Sequence, residues 1–550
     1  MIRLIEFNNF RDSMIFMKTV LSCTVLFYFK IFTLFQNIII IDGYTDEPSG
    51  LGVPPYIGVY PRLVAGIIWF IDKTKNIRYY TIDTVRANLN NIIKNINKSD
   101  LVVFIAGSEV PGKYIGGKPI TIDEIEYLSY LLKDCVKILV GPAARFGLGS
   151  GGGSTAVATS DLAKFFDIIV TGDPELFFYD LIKYGFEKAD PSVFRENYDL
   201  ANKAFIYGSK IVKQHPNYGW NLIVEIETYR GCPRWITGGC SFCIEPRYGR
   251  PIMRNPEDIV SEVESLYKHG VRHIRLGKQP DILTYMSSEI GLKEFPKPNV
   301  NALEKLFHGI RLTAPGLRTI HIDNVNPGTI VHNIKESIEA IKIIIKYHTP
   351  GDVAALGIES FDEKVVRLNN LKVYPDEALE AIRLINKYGS VRGWNGLPHL
   401  LPGINLLHGL PGESRETYRL NILYLNKIID EKLLVRRVNI RKISILEKTP
   451  LWIKRDIVMK NIRKYSRLFN NYRKYVMEFF DKKMLSRITP SGCVLRYLFV
   501  ERRIGEYVIA RQPASYPIVV KIRDHLNIGE CIDARVKKSA SKSVLASRVV

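Results

Sequence analysis

The sequence predicts an α/β protein in three parts: an N-terminal doubly wound parallel sheet, a central partial (β/α)6 barrel and a small C-terminal β-domain. Two series of short, β-branched-rich apolar runs separated by helical stretches predict the first two parts, because strands buried on both faces read as continuous apolar segments. A stretch of alternating segments punctuated by glycine and proline predicts the third. With 550 residues the chain exceeds one ordinary domain, and 46% hydrophobic with 24% charged residues excludes collagen-like, disulfide-dense and broadly disordered classes.

Residues 1–36 form a hydrophobic extension. Its core, Thr19–Gln36, is apolar apart from Lys30 and about the length of a short spanning helix. A membrane anchor, a signal-like segment and sequence upstream of the true start all fit. Lys30 is costly in a bilayer and no small-residue cleavage site follows, so the expectation is a non-essential extension with no membrane partner.

From residue 37 to 185 the runs are 38–41, 77–82, 101–107, 136–141 and 167–172. Ligands of doubly wound sheets sit at the carboxyl ends of strands. Glycine-rich stretches lie there, at 42–52 and 141–153, but no GxGxxG follows the first strand. A ligand loop and a merely flexible loop both fit. Residues 186–221, with Pro191 and Pro216, read as an irregular connector. The barrel spans 222–450, with strands at 222–228, 273–277, 319–323, 353–358, 404–409 and 438–446. Six βα units make an incomplete barrel rather than the eight of a closed one. A basic helical segment (451–490) and the β-domain (491–550), of OB or barrel type, complete the chain.

Charge is unevenly placed. Residues 1–430 carry 49 Lys+Arg against 46 Asp+Glu, whereas 431–550 carry 28 against 10. That asymmetry predicts an anionic partner, and six tyrosines (Tyr465, Tyr472, Tyr475, Tyr497, Tyr507, Tyr516) interleave with it as single-stranded RNA binding requires. A solvated basic face over aromatics that belong to the core is the competing reading.

Seven cysteines in 550 residues are sparse, which fits a reducing cytosol. Cys23, Cys135, Cys493 and Cys531 stand alone, and Cys135 precedes a buried strand. Cys232, Cys240 and Cys243 fall within twelve residues, as C-x7-C-x-Phe-C on the loop after the first barrel strand. Three thiolates on one loop can each hold one iron of a cubane cluster and leave the fourth open. A zinc site remains the alternative, but it wants a fourth ligand, and His215 and His269 are badly placed to supply one.

The loop resembles that of the radical S-adenosylmethionine (SAM) superfamily, whose common form is C-x3-C-x-aromatic-C; Phe242 stands in the aromatic place, and the first gap is seven residues. Three further strand ends carry the resemblance. Gly277-Lys-Gln279 matches the turn that takes the SAM amino group, with Gln for Glu. Gly357-Ile-Glu359-Ser360 matches the turn facing the SAM ribose and carboxylate. His408-Gly409-Leu-Pro-Gly-Glu matches the turn beside the adenine. The resemblance implies a [4Fe-4S] cluster on Cys232, Cys240 and Cys243, and SAM bound by Phe242, Gly277, Gln279, Glu359, Ser360, His408 and Gly409. It also implies reductive cleavage of SAM to a 5′-deoxyadenosyl radical, and an external electron donor such as ferredoxin or flavodoxin.

An α/β domain ahead of such a barrel is similar to the cobalamin-binding class, and Asp46-Glu-Pro-Ser-Gly-Leu-Gly-Val-Pro-Pro-Tyr56 resembles an uncharacterised archaeal-type group that often ends in helix-hairpin-helix motifs. No such motif is read here and Asp-x-His-x-x-Gly is missing, so cobalamin is a candidate cofactor only. Residues 510–520 and 526–530 resemble the small RNA-binding barrel of methylthiotransferases, but the three extra cysteines those enzymes carry are absent, which places methylation or a related modification ahead of sulfur insertion. The predicted function is modification of a macromolecule, with RNA as candidate; the alternative is an iron–sulfur redox or nucleic-acid-binding protein that does not turn SAM over.

Overall fold

In the computed structural model, which describes residues 35–47, 50–96, 101–108, 116–132 and 135–549, the first five apolar runs become a parallel sheet. Its strands are β1 (Asn37–Asp42), β2 (Asn76–Thr81), β3 (Leu101–Ile105), β4 (Val136–Val140) and β5 (Ile168–Ile169), in the order β2-β1-β3-β4-β5. Ile38 of β1 sits between Ile77 and Leu101. Ile38 and Ile40 enter a core shared with the barrel, while Ile39 and Ile41 enter a separate core on the other face. Burial on both faces is why these strands read as unbroken apolar runs. The apolar stretch Thr19–Gln36 lies, but for its last two residues, outside the described residues. Among the described residues no helix is long and apolar enough to cross a membrane.

The connector is a correction. Instead of irregular chain, residues Asp199–Gly208 form an α-helix continued by a 3-10 turn, Ser209–Gln214. The helix lies backbone-to-backbone on helix Val59–Ile71. A Cβ on Gly66 would stand 1.8 Å from the Ala204 carbonyl oxygen, and one on Gly208 would stand 2.0 Å from that of Arg62. Small residues carve this contact, so the stretch lacks the large apolar periodicity by which a packed helix is recognised.

Helix Val59–Ile71 ties the two α/β parts together. Arg62 is fully buried and pairs with Glu262, which also pairs with Arg254; Arg62 donates in addition to the Glu225 carbonyl of the first barrel strand. Removing one carboxylate would leave two cations stranded in the interior. Glu262→Ala is therefore expected to cost about 3–5 kcal/mol, read as a fall in the denaturation midpoint at unchanged slope.

Six parallel strands form the barrel: β6 (Ile223–Glu227), β7 (His273–Gly277), β8 (Thr319–Ile322), β9 (Asp352–Glu359), β10 (Leu400–His408) and β11 (Arg437–Lys442). They match the six βα units expected. The wall is broken at Asp323: β6, β7 and β8 form one sheet, extended at its edge by Tyr56–Ile57, and Asn324–Val325 starts a second with β9, β10 and β11. Val224 and Ile226 of β6 point into the large core, which leaves Glu225 and Glu227 facing the lumen.

Past the barrel, helices run from Pro450 to Ile488. Then β12 (Val494–Ile504), β13 (Tyr507–Arg511), β14 (Val519–Ile522), β15 (Cys531–Ser539) and β16 (Ser543–Arg548) close into a barrel in the order β12-β13-β14-β16-β15. Its Gln512–Pro517 loop is bolted to the larger barrel. Tyr56 Oη donates to the carbonyls of Ala514 (2.7 Å) and Ser515 (2.9 Å), the Ser515 amide donates to His321 Nδ1 (3.0 Å), and Thr319 Oγ1 donates to the Pro513 carbonyl (3.1 Å).

Candidate iron–sulfur and SAM site

The cysteine loop opens from a two-residue ladder, Tyr229–Arg230 against Ile252–Met253, at the carboxyl end of β6. The long first gap is absorbed locally. Pro233–Thr237 form a 3-10 turn, and Gly238 (φ 82°) and Gly239 (φ 63°) then reverse the chain in the left-handed region that glycine tolerates, returning Cys240 towards Cys232. The loop is stapled to the chain after β9. Asn370 Nδ2 donates to the carbonyls of Thr237 and Gly239 (3.0 Å each), and Ser241 donates to Asn369 through its amide (3.0 Å) and its hydroxyl (2.9 Å).

Cys232 and Cys240 are buried, and Cys243 is partly so. Burial pushes the Cys232 thiol up to about 12, with Cys240 adding to the rise, and pushes Cys243 well above the usual thiol range, with both other cysteines adding to it. The three sulfurs thus act electrostatically on one another, in surroundings where thiolates need a compensating positive charge. The Arg234 guanidinium supplies part of it, donating to Cys240 Sγ at 3.1 Å while Glu294 (2.8 Å) and Asn370 (3.1 Å) fix its other nitrogens. Val365, Leu371, Leu410, Ile443 and Leu451 form an apolar shell against Cys240, with Phe242 and Cys243 packed on it. Among the described residues no three Cys, His, Asp or Glu side chains are gathered tightly enough for a single metal ion. Three thiols that act on one another in a dry pocket, each able to take a separate iron, fit a cubane cluster better than a zinc ion.

The expected SAM-facing residues divide. Gly277 lies at the end of β7 with Glu225 of β6 pressed on it: a Cβ there would stand 1.8 Å from Glu225 Oε1. Glu359, left-handed at φ 67°, ends β9 next to Ser360; its Oε1 and Lys372 Nζ both close on Gly357, 2.8 and 2.3 Å from where a Cβ would sit. Lys372 also acts electrostatically on Cys232, which places it between the cluster loop and this turn. Gly409, at φ 99°, donates its amide to Glu413 Oε2 at 2.6 Å.

Two of the expected SAM-facing residues are engaged elsewhere in this structure. His408 is buried on the aromatic side of the strand, stacked on Tyr418 at 4.7 Å with Phe469 and Tyr472 edge-on, and its Nδ1 lies 3.5 Å from Glu413 Oε2. It is part of an aromatic core. Gln279 is fully buried, and its amide is spent on accepting from Thr228 Oγ1 (3.1 Å) and donating to the Leu276 carbonyl (3.2 Å).

Glu225 is the residue that the sequence reading passed over. Its carboxylate is buried and no side chain donates a hydrogen bond to either oxygen; Arg275 Nε lies 3.7 Å away and is itself paired with Asp323, and Lys278 acts on it through its main chain and its charge. Burial raises its carboxyl to about 8. Two glutamates at alternate positions in an otherwise apolar strand were the available signal, since one face of such a strand must line a polar lumen.

The tyrosines of the basic region are not the open stacking surface expected. Tyr472 is core, Tyr465, Tyr497, Tyr507 and Tyr516 are half-buried, and only Tyr475 is exposed, stacked on Phe479 at 5.4 Å.

Residues 226–420 match the profile of the Radical SAM superfamily. An uncharacterised protein of Methanocaldococcus jannaschii is 44% identical over 524 residues, covering 94% of each chain. One from Archaeoglobus fulgidus is 40% identical over 508 residues, covering 92% of this chain and 89% of its own. Among solved structures, the radical S-adenosylmethionine methyltransferase TsrM from Kitasatospora setae, with tryptophan and a SAM analogue bound, superposes with a TM-score of 0.51 at 14% identity, over 76% of this chain and 75% of that one.

Proposed function

The chain belongs to the radical SAM superfamily, and from that premise we propose that it holds a [4Fe-4S] cluster on Cys232, Cys240 and Cys243 and uses SAM to modify RNA. The observation that carries the first half is the grouping of the three thiols beside Arg234 at the carboxyl end of the barrel. A cluster held by these three cysteines would supply the electron for reductive cleavage of SAM, with an external donor such as ferredoxin or flavodoxin restoring it. The chain's own residues do the rest. The apolar shell excludes water from the cluster loop, and Arg234 compensates thiolate charge. Glu225 takes the SAM amino group, the role that Gln279 is too committed to fill, and Glu359 with Lys372 faces the ribose and carboxylate.

RNA as substrate is supported by the closed five-stranded barrel and by 28 basic against 10 acidic residues in 431–550. Cobalamin, the candidate second cofactor, has one natural place, between the carboxyl ends of the first sheet and the barrel mouth. That cleft leaves only about 20 Å³ free and is bridged by Asp173 with Arg195 (3.2 Å) and by Arg195 with Glu227 (2.9 Å), so a corrin enters only if these pairs open. Titration of the purified chain with hydroxocobalamin, followed by its visible spectrum, tests that entry.

With dithionite, the anaerobically reconstituted protein is expected to release 5′-deoxyadenosine and methionine. Glu359→Ala should keep its iron and lose about tenfold or more of that activity, as loss of a charged contact implies. Mass spectrometry of cellular RNA after incubation identifies the product. Iron without SAM cleavage would favour a redox or binding role, and cleavage with unchanged RNA would remove RNA as substrate.

A further inference from the structure

Where the amino ends of β7 and β8 meet the closed barrel, the structure contains an open cleft of about 260 Å³, on the scale of a small ligand. Its walls come from three places in the chain. Trp220 precedes β6, Arg272 and His273 stand at the start of β7 with Arg318 just before β8, and Tyr497 and Phe499 belong to β12. Tyr497 owes its position to a local defect. The pairing of β12 with β15 slips between Leu495 and Leu498, and Tyr497 sits there in the left-handed region at φ 63°. A non-glycine residue held so is costly, and a bulge re-aims its side chain. Here Tyr497 lies against the cleft, with the Arg318 guanidinium 4.7 Å from the ring centroid and donating to the hydroxyl at 2.7 Å. Phe499 meets Tyr497 edge-on at 5.1 Å, and Trp220 meets Phe499 at 6.5 Å.

The cations here are uncompensated. Among the described residues neither Arg272 nor Arg318 has a carboxylate at ion-pair distance; Arg272 donates to the main-chain carbonyls of Tyr267 (3.1 Å) and Val271 (2.8 Å) instead. Two guanidiniums without acids, among aromatic faces and next to a region of strong basic excess, suit a ligand that carries both a ring to stack and a phosphate. An acidic peptide would use the arginines and leave the rings idle, and an apolar ligand would strand the arginines. We propose that this cleft holds one nucleotide of single-stranded RNA, its base on the aromatic faces and its phosphate on Arg272 and Arg318. The proposal rests on RNA being the substrate. His273 opens β7 and Gly277 closes it, a rise of about 13 Å, so the nucleotide held here is an anchor and not the one that reacts.

The test uses the full-length, cluster-loaded protein and a 4-thiouridine oligoribonucleotide. Photocrosslinks are expected on the peptides that contain Trp220 or Tyr497. Tyr497→Leu should weaken RNA binding roughly tenfold or more, the effect of losing a stacked base. Arg272→Ala with Arg318→Ala should lower the slope of log affinity against log salt by about 0.7, the value for one phosphate on a single strand. Iron content and RNA-independent SAM cleavage should stay as in the wild type. RNA binding that the variants leave unchanged, with crosslinks elsewhere, overturns the cleft and leaves the RNA reading standing. No RNA binding by a wild type that cleaves SAM overturns both, as does an acidic peptide that displaces RNA at equal concentration. Should Tyr497→Leu misfold by circular dichroism, the wild-type crosslink map decides.

Discussion

Cys240→Ala should take the anaerobically purified protein from about four irons per chain to nearly none, with loss of the brown colour and of the reduced-state EPR signal. Cys240 is the central member of the set. It is buried, it meets the apolar shell formed by Val365, Leu371 and Leu451, and its sulfur accepts from Arg234. Alanine at this position removes one proposed cluster ligand and the sulfur that accepts from Arg234, leaving a buried guanidinium less satisfied beside the two remaining thiols. Cys232→Ala and Cys243→Ala should behave alike. Cys135→Ala serves as the contrast, because Cys135 packs in the N-terminal core with its thiol donating to the Ile96 carbonyl at 3.5 Å, and iron should be unaffected. Circular dichroism separates loss of iron from loss of fold, since the loop is held by Asn369 and Asn370 independently of any metal. A Cys240→Ala protein that keeps its iron would refute the assignment.

Much of the architecture was legible because it rests on strands buried on both faces, and such strands announce themselves as apolar runs. All six barrel strands fall where those runs lie, and β1 to β4 follow the same logic. Helix Asp199–Gly208 was hidden because Gly66, Ala204 and Gly208 make its contact by being small, and an apolar search finds size. The cysteine loop was readable in spite of its long first gap, but the way that gap closes, through a 3-10 turn and two left-handed glycines, is a matter of backbone geometry. The SAM-facing turns were the least legible. A strand-end motif places a residue along the chain without saying which side of the strand it faces, and His408, expected to contact SAM, lies on the aromatic side of β10. The tyrosines of the basic region show the same limit, for their spacing is that of a stacking surface while most of their area is packed.

Glu225→Ala should weaken SAM binding by roughly ten- to a hundredfold, the cost of losing a charge-assisted hydrogen bond, at unchanged iron content. Equilibrium dialysis with labelled SAM measures it without requiring turnover, and the change in the EPR spectrum of the reduced cluster on adding SAM gives a second reading. The argument is one of elimination among acceptors at the end of β7. Gln279 is committed to Thr228 and Leu276, whereas Glu225 presents against Gly277 two oxygens that accept from no side chain. Gln279→Ala should therefore keep SAM affinity within about threefold while losing some stability through the orphaned Thr228 hydroxyl. Stability supplies an independent signature. A buried carboxyl whose pKa rises from 4.5 to about 8 binds a proton more tightly in the folded chain than in the unfolded one. The native state then loses stability as pH climbs through that window. Deleting the group removes the penalty, so Glu225→Ala should gain little at pH 5 and more at pH 8 relative to the wild type. A variant that is more stable at high pH yet binds SAM poorly is the pattern of a group kept for its ligand at the expense of the fold. If Gln279→Ala loses SAM and Glu225→Ala retains it, the amino group is held as the sequence motif suggested, and Glu225 only shapes the barrel wall beneath Gly277.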